Sequence, residues 1–148
     1  MAARTARRVA LLAIHPPYAE AILAGTKRVE FRKRRLAADI EVVLLYATQP
    51  VGGIVGAFRV AGQVESSPAA MWRRFRDVAG IGPAAFGAYF DSSSSAVGIM
   101  IGNVKRLSSP LPLPAAVGPG TKPPQSVFYL TPAQPGPLTS VIRAARRP

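Results

Sequence analysis

A chain of 148 residues with 19 Lys and Arg against 7 Asp and Glu carries a formal charge of +12, has room for a single core, and generates a field that draws polyanions, with nucleic acid the default partner. With no cysteine and one histidine, disulfides, thiolate zinc sites and histidine metal clusters are excluded, so no metal and no cofactor is expected. Apolar runs are broken by Gly or charge well short of the roughly 18 to 20 residues a membrane span needs, and the start of the chain lacks a signal-peptide core, so a soluble cytoplasmic protein with no membrane partner is expected.

Residues 1–8, with Arg4, Arg7 and Arg8, read as a basic N-terminal arm. Val9-Ala10-Leu11-Leu12-Ala13-Ile14 is a continuous apolar run and predicts a strand buried on both faces. His15-Pro16 ends it; Pro17 suits a first helical turn, Tyr18, Ala21 and Ile22 form an inward stripe, and Gly25 is the C-terminal stop. A charged segment follows, then a second buried strand over 41–47 and a long third one over 52–65. The glycines of that third strand, Gly53, Gly56 and Gly62, mark bulges in a curving sheet.

Ser67-Pro68 is an N-cap followed by an N1 proline, opening a helix that buries Met71, Trp72 and Phe75. Another helix over 83–90 carries Phe86, Tyr89 and Phe90 as packing residues, and Asp91 with the four serines after it forms a polar turn. A strand resumes over 96–104 and closes with Lys105, Arg106 and Leu107. The proline-rich stretch 108–124 is expected to be an extended, ladder-poor excursion. Ser126 to Leu130 has the β-branched and aromatic content of a last strand, and 132–148 reads as a Pro/Ala/Arg tail, either a short helix or a basic arm.

The chemistry concentrates in Gly25-Thr26-Lys27-Arg28-Val29-Glu30-Phe31-Arg32-Lys33-Arg34-Arg35. In an extended segment, alternation puts Lys27, Val29, Phe31 and Lys33 on one side and Arg28, Glu30, Arg32 and Arg34 on the other. A carboxylate among cations can hold a guanidinium while part of its donor fork stays directed at a phosphate; the same pattern also describes a solvated edge strand.

The stretch from Ile14 to Arg32, with Gly25, Lys27, Glu30 and Arg32 matching Gly-x-Lys-x-x-Glu-x-Arg, together with the late Pro123-Pro124-Gln125-Ser126-Val127-Phe128-Tyr129-Leu130 segment, resembles the ASCH family of the PUA-like superfamily. Together with the strand pattern, the resemblance implies a β-rich α+β domain over residues 9–131. Its expected form is a PUA-like β-barrel of five or six strands with two or three short helices. The resemblance also implies a cleft beside the barrel lined by the matched residues. Lys27 then acts as a point charge on phosphate, Arg32 as a bidentate donor to phosphate or a guanine edge, and Glu30 as its orienter or an acceptor for a base amino group.

Around them, Tyr18 is either a base-stacking ring or a core aromatic. His15 is either a catalytic or base-reading imidazole or a hydrogen bonder to local backbone. Gln125 and Ser126 either offer polar groups to the cleft or form a turn. The nucleic-acid-binding set is His15, Tyr18, Lys27, Arg28, Glu30, Arg32, Lys33, Arg34, Arg35, Gln125 and Ser126. The first function implied is binding of RNA, or of single-stranded or modified nucleic acid, with RNA favoured over DNA. The alternative is a metal-independent ribonuclease in which Lys27 stabilises a pentacoordinate phosphate and Tyr18 or Ser126 assists proton transfer. Relatives that deacylate nucleosides carry a threonine nucleophile where this chain has Glu30, which speaks against amidohydrolase activity. A basic adaptor for an acidic protein is a third reading.

Overall fold

The computed structural model describes residues 9–117, 126–130 and 138–147. The expected N-terminal arm and Gln125 lie outside them. The first strand, β1 (Val9–Ile14), is followed by helix α1 (Pro16–Ala24), β2 (Val29–Arg32), β3 (Val42–Ala47) and β4 (Gly53–Ser66). Then come α2 (Pro68–Phe75), a single 3-10 turn (Arg76–Val78), α3 (Pro83–Tyr89), β5 (Ala96–Leu111), α4 (Leu113–Val117), β6 (Val127–Leu130) and α5 (Leu138–Arg146).

The strands form one mixed sheet in the order β2-β5-β4-β3-β1-β6. β1 and β3 run parallel, joined through α1 and β2, and the remaining pairs are antiparallel. Both β1 and β3 are apolar without alternation because both their faces are covered. Ala10, Leu12, Val43 and Leu45 face a core beneath α1, while Val9, Leu11, Val42 and Leu44 face one beneath α4 and α5. A third cluster, around Val29, Phe31, Met71, Phe75 and Phe86, seats α2 and α3 on the β2 end. Register shifts at Ile54/Gly56 and Val60/Gly62 put irregularities at two of the expected glycines.

The α+β fold with a six-stranded sheet is present, but its closure into the expected barrel is not seen. Among the described residues no ladder joins β2 to β6, so the sheet stays open. Side chains bridge the gap instead: Arg32 Nη2 donates to Ser126 Oγ (2.6 Å), and the Ala37 N–H donates to Tyr129 Oη (3.2 Å). The two short edge strands are thus spanned by polar groups where a barrel would have backbone bonds.

Two local expectations also change, and the tail takes the helical of its two expected forms. Ala19, not Ala21, joins Ile22 as the buried pair of α1. β5 continues to Leu111, its register jumping from Gly56–Arg106 to Ile54–Leu111 and so accommodating Pro110, and α4 follows in what reads as an extended excursion. The tail's helix, α5, buries Leu138, Val141 and Ala145 against the sheet. Among the described residues no helix is long and apolar enough to cross a membrane.

Candidate functional site

Gly25, at φ 88°, ends α1 in the left-handed conformation that glycine adopts without strain. The Thr26 and Lys27 N–H groups then fold back onto the Ala21 carbonyl. This turn aims Lys27 inward before β2 begins at Val29, so strand alternation does not govern it. The expected separation of Lys27 from Glu30 is therefore wrong: Lys27 Nζ lies 3.5 Å from Glu30 Oε1.

Lys27 is 2% exposed and Glu30 6%. Lys27 Nζ donates to the Ala79 carbonyl (2.6 Å) and lies 5.0 Å and 5.6 Å from the ring centroids of Phe31 and Tyr18. Its stem runs across Gly80, at φ 61°, where a Cβ would stand 2.5 Å from Lys27 Cβ. Glu30 Oε2 in turn accepts from Arg32 Nη1 (3.4 Å), and Arg32 Nη2 reaches Ser126. Ser126 is fixed by its own carbonyl, which accepts from the Ala13 N–H of β1 (2.9 Å). The result is a continuous chain, Lys27 to Glu30 to Arg32 to Ser126, running from buried to exposed.

Burial pushes the Lys27 ammonium below its ordinary pKa, and the Glu30 carboxylate draws it part of the way back. The site thus holds a desolvated lysine whose charged form one carboxylate favours and whose position a backbone carbonyl fixes.

This chain forms one wall of an open cleft of about 560 Å³, which also receives His15, Tyr18, Lys33 and Ser126. His15 caps α1 without a side-chain capping bond, and its ring meets Tyr18 edge-on at 6.0 Å. Three of the expected residues are not brought in. Arg28 is exposed, and its backbone instead ties β2 to Val78 and Ile101. Arg34 and Arg35 lie in a neighbouring groove.

Sequence reasoning missed Thr48, Ala79 and Gly80. Thr48 follows β3 and is placed in the cleft by donating its N–H to Ile14 (3.0 Å), a consequence of the parallel β1–β3 register. Ala79 and Gly80 seat Lys27, and the one signal for them was a glycine just after a helix. Tyr89, expected to pack, is 38% exposed at the cleft's edge. Among the described residues no three His, Cys, Asp or Glu side chains gather as a metal site.

The profile of the ASCH domain matches residues 12–105, well over half the chain. The chain belongs to the ASCH domain family. It is 29% identical over 96 residues to an ASCH domain-containing ribonuclease of Zymomonas mobilis, a match covering 64% of this chain and 65% of that protein, just under two thirds of its length. The crystal structure of ASCH from Zymomonas mobilis is similar at a TM-score of 0.76 and 26% identity, over 82% of this chain and 87% of that one. A serine-to-alanine variant of that protein gives a TM-score of 0.76 at 26% identity, over 84% and 89% of the two chains.

Within the ASCH match lie Lys27, Glu30 and Arg32, together with Ala79 and Gly80. Ser126 lies beyond it. The wall of the cleft is therefore completed from outside the matched stretch, by the residue that immediately precedes β6.

Proposed function

We propose that this ASCH domain binds single-stranded RNA in the cleft and cleaves it without a metal ion. The observation that carries the reading is the buried Lys27–Glu30 pair continued through Arg32 to Ser126 along the cleft wall. A relative named as a ribonuclease points the same way.

In the step proposed, the RNA 2′-hydroxyl loses its proton and its oxygen bonds to the adjacent phosphorus. The P–O5′ bond breaks and O5′ takes up a proton, leaving a 2′,3′-cyclic phosphate and a 5′-hydroxyl. Negative charge grows on the non-bridging oxygens, where donors fixed in advance act most strongly. Lys27 has one N–H on Ala79 and one directed at Glu30, which leaves its third for a phosphate oxygen. Arg32 is held by Glu30 and Ser126 and turns the rest of its fork to the same group.

Ser126 Oγ accepts from Arg32, so its own O–H is available to O5′. His15, which lines the cleft with its ring edge-on to Tyr18, is the residue we assign as acceptor of the 2′ proton. Glu30, engaged by two cations, serves as an orienter and not as a nucleophile.

Incubating purified protein with labelled single-stranded RNA in excess chelator tests this. Time-dependent cleavage to cyclic-phosphate ends, abolished in Lys27→Ala, supports the reading, and the matching DNA should be bound and left intact. RNA that is bound yet stays whole would make the domain a binding module, and the absence of any binding would remove both readings.

A further inference from the structure

The cleft does not end at Arg32 and Ser126. A second groove of about 270 Å³ begins there and shares Arg32, Lys33, Tyr89 and Ser126 with it, then continues over Arg34, Arg35 and Val127 across the gap between the sheet's two edges. Three observations point to a ligand in it. Tyr89 is among the large apolar or aromatic side chains left exposed, at 38%, and it borders both grooves. Lys33 Nζ lies 5.1 Å over its ring, so a cation and an aromatic surface stand together. Of the two arginines beyond, Arg35 is engaged by Glu65 (3.1 Å), and Arg34 is exposed with its charge beside the groove.

We infer that this second groove is a subsite for the nucleotide next to the one in the main cleft, in which a base stacks on Tyr89 and its phosphate meets Lys33 and Arg34. The inference rests on the single-stranded RNA reading above and narrows it: the substrate is a chain of several nucleotides, not a nucleoside or mononucleotide. An aromatic side chain flanked by cations suits a single strand because every base offers a π-face while the backbone charge is continuous. The groove runs along the Arg32–Ser126 bridge, where β2 and β6 approach without a backbone ladder among the described residues.

The test uses 2′-O-methyl oligoadenylates, which cannot be cut by attack of the 2′-oxygen, so affinity is read apart from cleavage. Dissociation constants are measured for the dinucleotide and for trinucleotides extended at the 5′ or the 3′ end. With the added base stacked on Tyr89, extension at one end should tighten binding about tenfold. That ratio should fall toward unity in Tyr89→Ala, survive in Tyr89→Phe, and shrink with a shallower salt dependence in Arg34→Gln. A wild-type ratio near unity at both ends, or a ratio that Tyr89→Ala leaves intact, overturns the subsite. Cleavage in chelator, scored on unmodified RNA with the same preparations, decides the catalytic reading separately. Failure of the wild type to bind any oligonucleotide overturns the subsite and that reading together.

Discussion

Two cation–carboxylate systems flank α1 and differ in nearly every respect. On its outer side Glu20 and Arg106 meet in a bidentate pair, both bonds 2.8 Å long, with each side chain about half exposed. On the cleft side Glu30 is shared by Lys27 at 3.5 Å and Arg32 at 3.4 Å, a looser arrangement almost wholly out of water. The better geometry therefore belongs to the pair that solvent screens most, and exposed pairs contribute little to stability. The buried pair carries a desolvation cost that its Coulomb attraction offsets only with help from neighbours such as the Ala79 carbonyl. Its role is better sought in what it faces than in what it adds to folding, and variants of the two systems should separate accordingly.

Lys27→Ala should have the largest effect. On the proposed reading it removes a phosphate donor from a desolvated site, so cleavage should fall about 10²- to 10³-fold. Loss of the packed stem and an uncompensated neighbour should also cost roughly 3 kcal/mol in denaturant unfolding. Lys27→Met restores most of the packing without the charge and leaves Glu30 with Arg32 alone, so stability should recover in part while cleavage does not. Recovery of cleavage would show that the ammonium is not used.

Glu30→Gln comes next. A charge-assisted hydrogen bond contributes about 1.5 to 3 kcal/mol, so losing the one that orients Arg32 should lower cleavage about 10- to 100-fold. The pH profile distinguishes this from simple unfolding. Burial already holds Lys27 below 10.5 while Glu30 opposes the shift, so removing the carboxylate should move the alkaline limb of activity to still lower pH. The stability sign follows from the same shift. Between the folded pKa of Lys27 and 10.5 the unfolded chain holds a proton that the native state has released, so wild-type stability relative to Lys27→Met should rise with pH across that window. A flat difference would mean that Lys27 is not desolvated.

Gly80→Ala is expected to be milder. The new Cβ would crowd the Lys27 stem at 2.5 Å, and the positive φ costs about 1 to 2 kcal/mol for a residue with a side chain. Cleavage should drop about tenfold with Lys27 displaced. Gly80→Asn tolerates the backbone angle better and keeps the crowding, so it should recover part of the stability but not the rate. Recovery of both would mean that the backbone, and not the seat of Lys27, is what matters.

The residue types of this site were readable in the sequence, and its geometry was not. Lys27, Glu30, Arg32 and Ser126 follow from motif and composition, but alternation assigns Lys27 and Glu30 to opposite sides because it presumes a strand where the chain is still leaving a helix cap. Thr48 depended on a parallel register, and Ala79 on a loop that meets Lys27 from across the chain; neither relation has a local signal. The fold divides in the same way. Strands with continuous apolar runs were legible, whereas barrel closure depends on whether two edges pair, and here side chains span them. The docking of α5 did have a signal: Leu138, Val141, Ile142 and Ala145 recur at helical spacing behind a proline-rich stretch that reads as a tail.

Glu20→Gln should do least, and that is its use. Arg106 donates to both Glu20 oxygens and holds its carboxyl below the usual carboxylate value of 4.5, so whatever the pair contributes is present above that value and lost as pH falls through the lowered one. Both side chains are largely in solvent, however, and at physiological ionic strength water and salt screen the attraction between them. We therefore expect no measurable change in melting temperature near neutral pH in 0.15 M salt, a small decrease in dilute buffer, and unchanged cleavage, since Glu20 faces away from the cleft into a groove lined by Leu23, Val55 and Arg106. If Glu20→Gln lowered cleavage as much as Glu30→Gln does, burial would not be what distinguishes the two systems. The effect would then have to pass through the position of α1, and the cleft wall could no longer be treated as a site defined by its own side chains.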